Sequence, residues 1–183
     1  MKQTKKVFKM ILILIWVSTQ CLSLNAQDAF ISCPEFKKIK INDLISLEDL
    51  YEANGNWQPM INAFGETNEE SCSNSFVGTQ CIYQYNGIRL NYNDYNGSFE
   101  MLKLEISNSN YKLYYNNSII KVGDNIDILE PLFQDAYANR RSVNFDGNTR
   151  YFAMLRVGAD SMLRLVFNFD ILTGQITSIE LEE

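Results

Sequence analysis

No histidine occurs anywhere in the 183 residues, and this absence removes more chemistry than any other feature of the chain. Without imidazole there is no Ser-His-Asp or Cys-His nucleophilic pair. Nor is there a His-ligated zinc, or a side chain whose ordinary pKa makes it a general base near neutrality. The four cysteines, Cys21, Cys33, Cys72 and Cys81, are scattered singly rather than paired at zinc-site spacing. No glycine-rich phosphate loop opens a helix pattern. Residues 91–100 have the Asn, Asp and Gly content of a calcium loop. With Gly97 in the sixth position, however, Tyr92 stands first and Lys103 twelfth, where such a loop needs acids. No apolar run approaches the ~20 residues that a membrane-spanning helix requires. Neither metal nor cofactor is therefore expected, and no catalytic residue is assigned. Acids such as Asp94, Asp146 and Asp170 are read as solvated turn residues, and a carboxylate-dependent hydrolase is kept only as a lesser alternative.

The N-terminus has a recognisable design. Lys2, Lys5, Lys6 and Lys9 stand without an acidic partner, residues 10–17 are apolar, and Ser18-Thr19-Gln20 closes the run. These are the charged and hydrophobic regions of an export signal, too short to serve as an anchor. Cleavage is expected after Ala26, which places the product outside the cytoplasm, secreted or periplasmic. The alternative is a lipid-bearing N-terminus at Cys21, as in an envelope lipoprotein or scaffold, but Gln20 stands where a small residue belongs. Cleavage removes four of the sixteen basic residues and none of the twenty-two acids, taking the formal net charge from −6 to about −10. A chain this acidic repels phosphate backbones, so nucleic acid is excluded as a partner and another protein is favoured. In an oxidising compartment, Cys72 and Cys81 are the favoured disulfide; Cys33 with either of them is the alternative.

The chain also repeats itself. Residues 39–45 match residues 120–126 at four of seven positions, Ile88-Arg89-Leu90 parallels Leu163-Arg164-Leu165, and residues 101–106 parallel 176–181 with Glu105 on Glu180. A tandem duplication follows, with repeats over 27–117 and 118–183 after a signal at 1–26.

In the first half, Ser46 with Asp49 resembles a capping box, and Leu47, Leu50 and Tyr51 give a helical stripe ending near Gly55. A second helix is capped by Asn56 and closed by Gly65. Residues 81–115 then form an antiparallel meander turned at Asn86-Gly87 and Asn96-Gly97, with residues 112–115 as its fourth strand. A two-residue loop at Asn96-Gly97 would turn Leu102, Leu104 and Ile106 to the wrong side. A three-residue loop with Gly97 as a bulge is therefore predicted, placing Leu102 opposite Leu90. The buried face becomes Tyr83, Tyr85, Ile88, Leu90, Tyr92, Leu102, Leu104 and Ile106, while Tyr95, Tyr111 and Tyr115 are freer to be exposed. In the second half Asn125 caps a helix from Ile126, Pro131 either kinks it or opens a second turn, and the helical stretch runs out near Asn139. Strands follow near 142–145, 149–157, 162–169 and 175–182, with turns at Asp146-Gly147, Gly158-Ala159-Asp160 and Thr173-Gly174.

The Asn42-Asp43 and Gly123-Asp124 turns, the helix-ending Phe64-Gly65 and the paired meanders resemble the fold of secreted β-lactamase inhibitory proteins, and, in one half, small bacterial outer-membrane-assembly lipoproteins. The resemblance implies an α+β fold, a tandem helix-turn-helix plus four-stranded antiparallel meander, whose sheet surface grips a protein partner. It carries over no individual residue. The residues themselves point to the polar sheet faces as the contact surface: Arg89, Asn91, Lys103 and Glu105 in the first half, Arg164, Asn168 and Glu180 in the second, together a two-part charged surface.

Overall fold

The computed structural model describes residues 29–52, 58–75, 78–95, 98–158 and 161–183. The expected signal with Cys21, the helix end at Gly55, the cap at Asn56 and the turn residues Asn96-Gly97 and Ala159-Asp160 lie outside them.

The fold is α+β and mostly strand. A short β1 (Ala29–Ile31) leads into helix α1 (Cys33–Phe36) and the two-residue strands β2 (Lys40–Ile41) and β3 (Ile45–Ser46). Helix α2 (Leu47–Tyr51) begins where Ser46 accepts the Asp49 N–H at 2.9 Å, as the capping pattern predicted. Helix α3 (Gln58–Phe64) ends as the Gly65 N–H reaches the Ile61 carbonyl, with Gly65 at φ +78°. In the second half Asn125 caps a 3₁₀ turn (Ile126–Leu129); helical structure breaks around Pro131 and resumes as α4 (Gln134–Ala138).

Two meanders follow the helical segments: β4 (Glu69–Ser75), β5 (Gly78–Tyr85), β6 (Ile88–Tyr95) and β7 (Ser98–Ile106), then β10 (Arg141–Phe145), β11 (Asn148–Val157), β12 (Arg164–Phe169) and β13 (Ile176–Glu182). They do not form two sheets. They join edge to edge in one nine-stranded sheet of order β1-β11-β12-β13-β7-β6-β5-β4, with β10 also paired to β11. The joint is the antiparallel pair β7/β13, in which Glu105 faces Glu180 and Leu104 faces Leu181. The matched segments 101–106 and 176–181 are thus hydrogen-bonded neighbours, and the arrangement does not by itself show a duplication.

Two expectations fail here. Residues 112–115 leave the meander: β8 (Lys112–Tyr115) pairs with β2 and with β9 (Ser118–Lys121) in a separate sheet of order β3-β2-β8-β9. The second concerns the bulge between β6 and β7. Tyr95 pairs with Ser98, so the loop between them has two residues, and the register slips farther along, between Asn91 and Tyr92. Leu102 is the extra residue. Tyr92 consequently faces Met101, Leu90 faces Leu104 and Ile88 faces Ile106, and Met101 takes the buried place expected of Leu102. The other seven residues of the predicted inner face are buried.

That inner face packs on the helices and the small sheet around one continuous core. Tyr92 is fully enclosed, its hydroxyl 3.4 Å from the Leu50 carbonyl and 3.2 Å from the Met60 sulfur. Tyr115, expected to be exposed, is buried: its ring stacks on Phe133 at 5.0 Å and its hydroxyl donates to Glu35 at 2.9 Å. Phe133 in turn lies 6.0 Å from Phe167 in β12.

The Cys72–Cys81 disulfide is present, and Cys33 is free and exposed. The bridge links directly opposed positions of β4 and β5, with Cα atoms 4.1 Å apart. It closes a short hairpin, so replacing both cysteines by serine is expected to cost about 2–3 kcal/mol by the loop-closure argument. Urea unfolding of the oxidised wild type against the double variant measures it.

Candidate functional site

Side chains alternate across a strand, so burial of Leu104, Leu165, Phe167, Ile179 and Leu181 on the inner face fixes what points the other way. The pairing aligns two transverse rows on the outer face. One runs Arg156, Arg164, Glu182, Lys103, Asn91; the other runs Met154, Val166, Glu180, Glu105, Arg89. All seven residues singled out from sequence stand on this face, Asn168 one step along β12 from Val166. They do not form two separate charged surfaces, because the β7/β13 joint merges them into one.

Glu180 is the centre of that surface. Only 5% exposed, it accepts hydrogen bonds at Oε1 from Asn168 Nδ2 at 2.8 Å and from Ser178 Oγ at 3.2 Å. Its Oε2 lies 2.8 Å from Lys103 Nζ and 2.9 Å from Arg150 Nη2. Lys103 also reaches Glu105 Oε2 at 3.6 Å, so one ammonium group offsets the repulsion between two directly opposed carboxylates. Burial alone would raise the Glu180 carboxyl. The hydrogen bond and charge of Lys103, and then Arg150, outweigh it and hold the group below the usual glutamate value. Asn168 is equally buried; its Oδ1 accepts from Arg150 Nε, and its Nδ2 also donates to Ser178 at 2.7 Å.

The remaining sites are less engaged. Arg89 is exposed and opposite Glu105; Asn91 is opposite Lys103, its Oδ1 buried with no hydrogen-bond partner among the described residues. Arg164 stands directly between Arg156 and Glu182. Every hydrogen bond and ion pair made by these seven side chains, among the described residues, stays within the large sheet. Sequence reasoning missed Arg150, which completes the Glu180 network, and Arg141 and Arg156. The alternation Arg150, Phe152, Met154, Arg156 in β11 was the available signal, since all four share one face. No cluster of three or more His, Cys, Asp or Glu residues suited to a metal occurs among the described residues. No described helix is long and apolar enough to cross a membrane.

No protein family model matches the chain, and no curated protein matches it in sequence. Among solved structures, it is similar to a cysteine-rich secretory protein from Staphylococcus aureus subsp. aureus Mu50, with 10% identity and a TM-score of 0.42, covering 84% of this chain and 50% of that one. It is also similar to an extracellular protein containing a SCP domain from Bacillus anthracis str. Ames, with 9% identity and a TM-score of 0.44, covering 76% and 46%. These findings correct the expected resemblance: the neighbours are SCP-type extracellular proteins, not β-lactamase inhibitory proteins or outer-membrane-assembly lipoproteins. This chain spans about half the length of each, and likeness at this level transfers no activity.

Proposed function

We propose that the chain is an exported, non-enzymatic binding module whose polar sheet face receives another protein. One observation carries the reading. The inner face is covered by the helices and the small sheet, while Arg89, Asn91, Lys103, Glu105, Arg164, Asn168 and Glu180 share the other face and bond only within the sheet. Export is supported by the N-terminal pattern and by the paired cysteines. The two meanders are further read as copies of one unit, a view supported by the matched segments 101–106 and 176–181.

The test is affinity capture from the native secretome with the mature domain, beside a variant carrying Arg89→Glu and Arg164→Glu and checked for folding by circular dichroism. The wild type is expected to retain a defined partner, and the variant to bind it about tenfold more weakly or worse, a loss of ~1.4 kcal/mol or more. If the wild type captures nothing, or the reversal retains the same partner equally, the reading is wrong.

A further inference from the structure

At the β10 and β11 end of the same face, Arg141, Arg156 and Arg164 line a cavity of about 410 Å³ together with Met154 and Met162. Three arginines thus line one cavity in a chain with an excess of acids. Arg156 and Arg164 are directly opposed across β11 and β12. Arg164 is not neutralised from within. Glu182 is its neighbour on β13, yet among the described residues no carboxylate lies within ion-pair distance of it, and its Nε is buried without a hydrogen-bond partner. Arg156 is held in place, its Nη2 donating to the Ser161 carbonyl at 3.2 Å and its guanidinium 5.8 Å from the Phe30 ring.

The walls narrow the choice of anion. Guanidinium forks match carboxylates, phosphates and sulfates alike, but an inorganic anion has no use for apolar walls. Met162 is 75% exposed and Met154 partly so, and methionine adapts to varied apolar shapes. We propose that this pocket takes a carboxylate joined to an apolar group, presented by an acidic segment of the partner. Arg164 receives the carboxylate together with Arg156 and Arg141, and the apolar part rests on Met154 and Met162. The assignment of the occupant rests on the reading of this face as a protein-binding surface.

The experiment is an NMR titration of the isotope-labelled mature chain, following the Arg164 Nε–H and Met162 methyl signals. The probes are N-acetyl-Leu-Asp-Leu-amide, hexanoate, the neutral analogue hexanamide, and sulfate. Saturable shifts are expected with the peptide and hexanoate, none with hexanamide, and markedly weaker binding of sulfate. Arg164→Gln should weaken both carboxylate probes about tenfold or more, as loss of a charge-assisted pair predicts, while Lys40→Gln, on the small sheet, leaves them unchanged. Should Arg164→Gln fail to fold, Met162→Ser at the exposed wall is expected to weaken hexanoate while leaving sulfate unaffected. Absence of saturable shifts, equal binding of hexanamide, or indifference to both substitutions overturns the pocket. Binding of hexanoate without the peptide overturns its assignment to a protein segment. No partner is present in the titration. Failed capture with intact probe binding therefore counts against the face reading alone, and the converse against the pocket alone.

Discussion

Replacing Phe167 by alanine is expected to lower the unfolding free energy by about 3–5 kcal/mol, a large share of the 5–15 kcal/mol that holds a typical domain together. Phe167 is fully buried in β12 and packs 6.0 Å from Phe133, which itself stacks on Tyr115 of the small sheet. A cavity there loosens the large sheet, the α4 region and the small sheet together. Because the buried residues form one cluster running through both halves, the variant should still unfold in a single transition. Urea denaturation followed by far-UV circular dichroism and by tyrosine fluorescence tests both points. A loss below about 1 kcal/mol would contradict the packing described for Phe167. Two separated transitions would contradict the single core.

Substituting Glu180 by glutamine is expected to cost about 2 kcal/mol at neutral pH, the scale of hydrogen bonds to charged groups. The amide keeps partners in Asn168 and Ser178 but leaves Lys103 and Arg150 facing one another without their shared anion. The pH dependence gives the sharper signature. The folded-state pKa of Glu180 lies below its ordinary value, so the stabilisation is fully present above the unfolded pKa of about 4.3. It is lost as pH falls through the folded value. Wild type and variant should therefore converge in stability on acidification, and a gap that persists unchanged to the lowest pH would sink the account. The carboxyls of exposed Asp170, held down by hydrogen bonds from Thr173 and Leu172, and of half-buried Glu35, held down by Lys38 and Tyr115, add to acid sensitivity in the same sense. At the alkaline end Tyr83, pushed up to about 12 by burial and then by Glu70, contributes with the opposite sign. Its share is present below about pH 10 and lost as pH rises through the folded value.

Where structure depended on neighbours in the chain, it could be read from residue types. Ser46 and Asn125 cap as their side chains require, and Asn86-Gly87 turns a hairpin that sets Tyr85 opposite Ile88. The inner and outer faces of β5, β6 and β12 followed from alternation alone, and this placed Arg89, Asn91, Arg164 and Asn168 on the outer side. Two errors have a common origin. A bulge at Gly97 and a bulge at Leu102 both restore Leu104 and Ile106 to the core. They differ in whether Met101 or Leu102 goes inside and in which residue Leu90 meets, and two adjacent apolar residues give local pattern no means of choosing. The pairing of β8 with β2, the parallel contact of β1 with β11, and the β7/β13 joint are set by partners far along the chain, which alternation does not encode. The Asn116-Asn117 turn, with both residues at positive φ, was a local signal for the β8/β9 hairpin that went unused.

The β7/β13 joint also bears on how the chain survives its own synthesis. Its partners are about 75 residues apart, so the centre of the large sheet is among the last pairings able to close. Until β13 emerges, β7 stands as an open border that any other extended polypeptide could copy. Lys103 and Glu105, set along that border, make such mispairing electrostatically awkward, so the charges that later meet Glu180 first act as guards against clumping in transit.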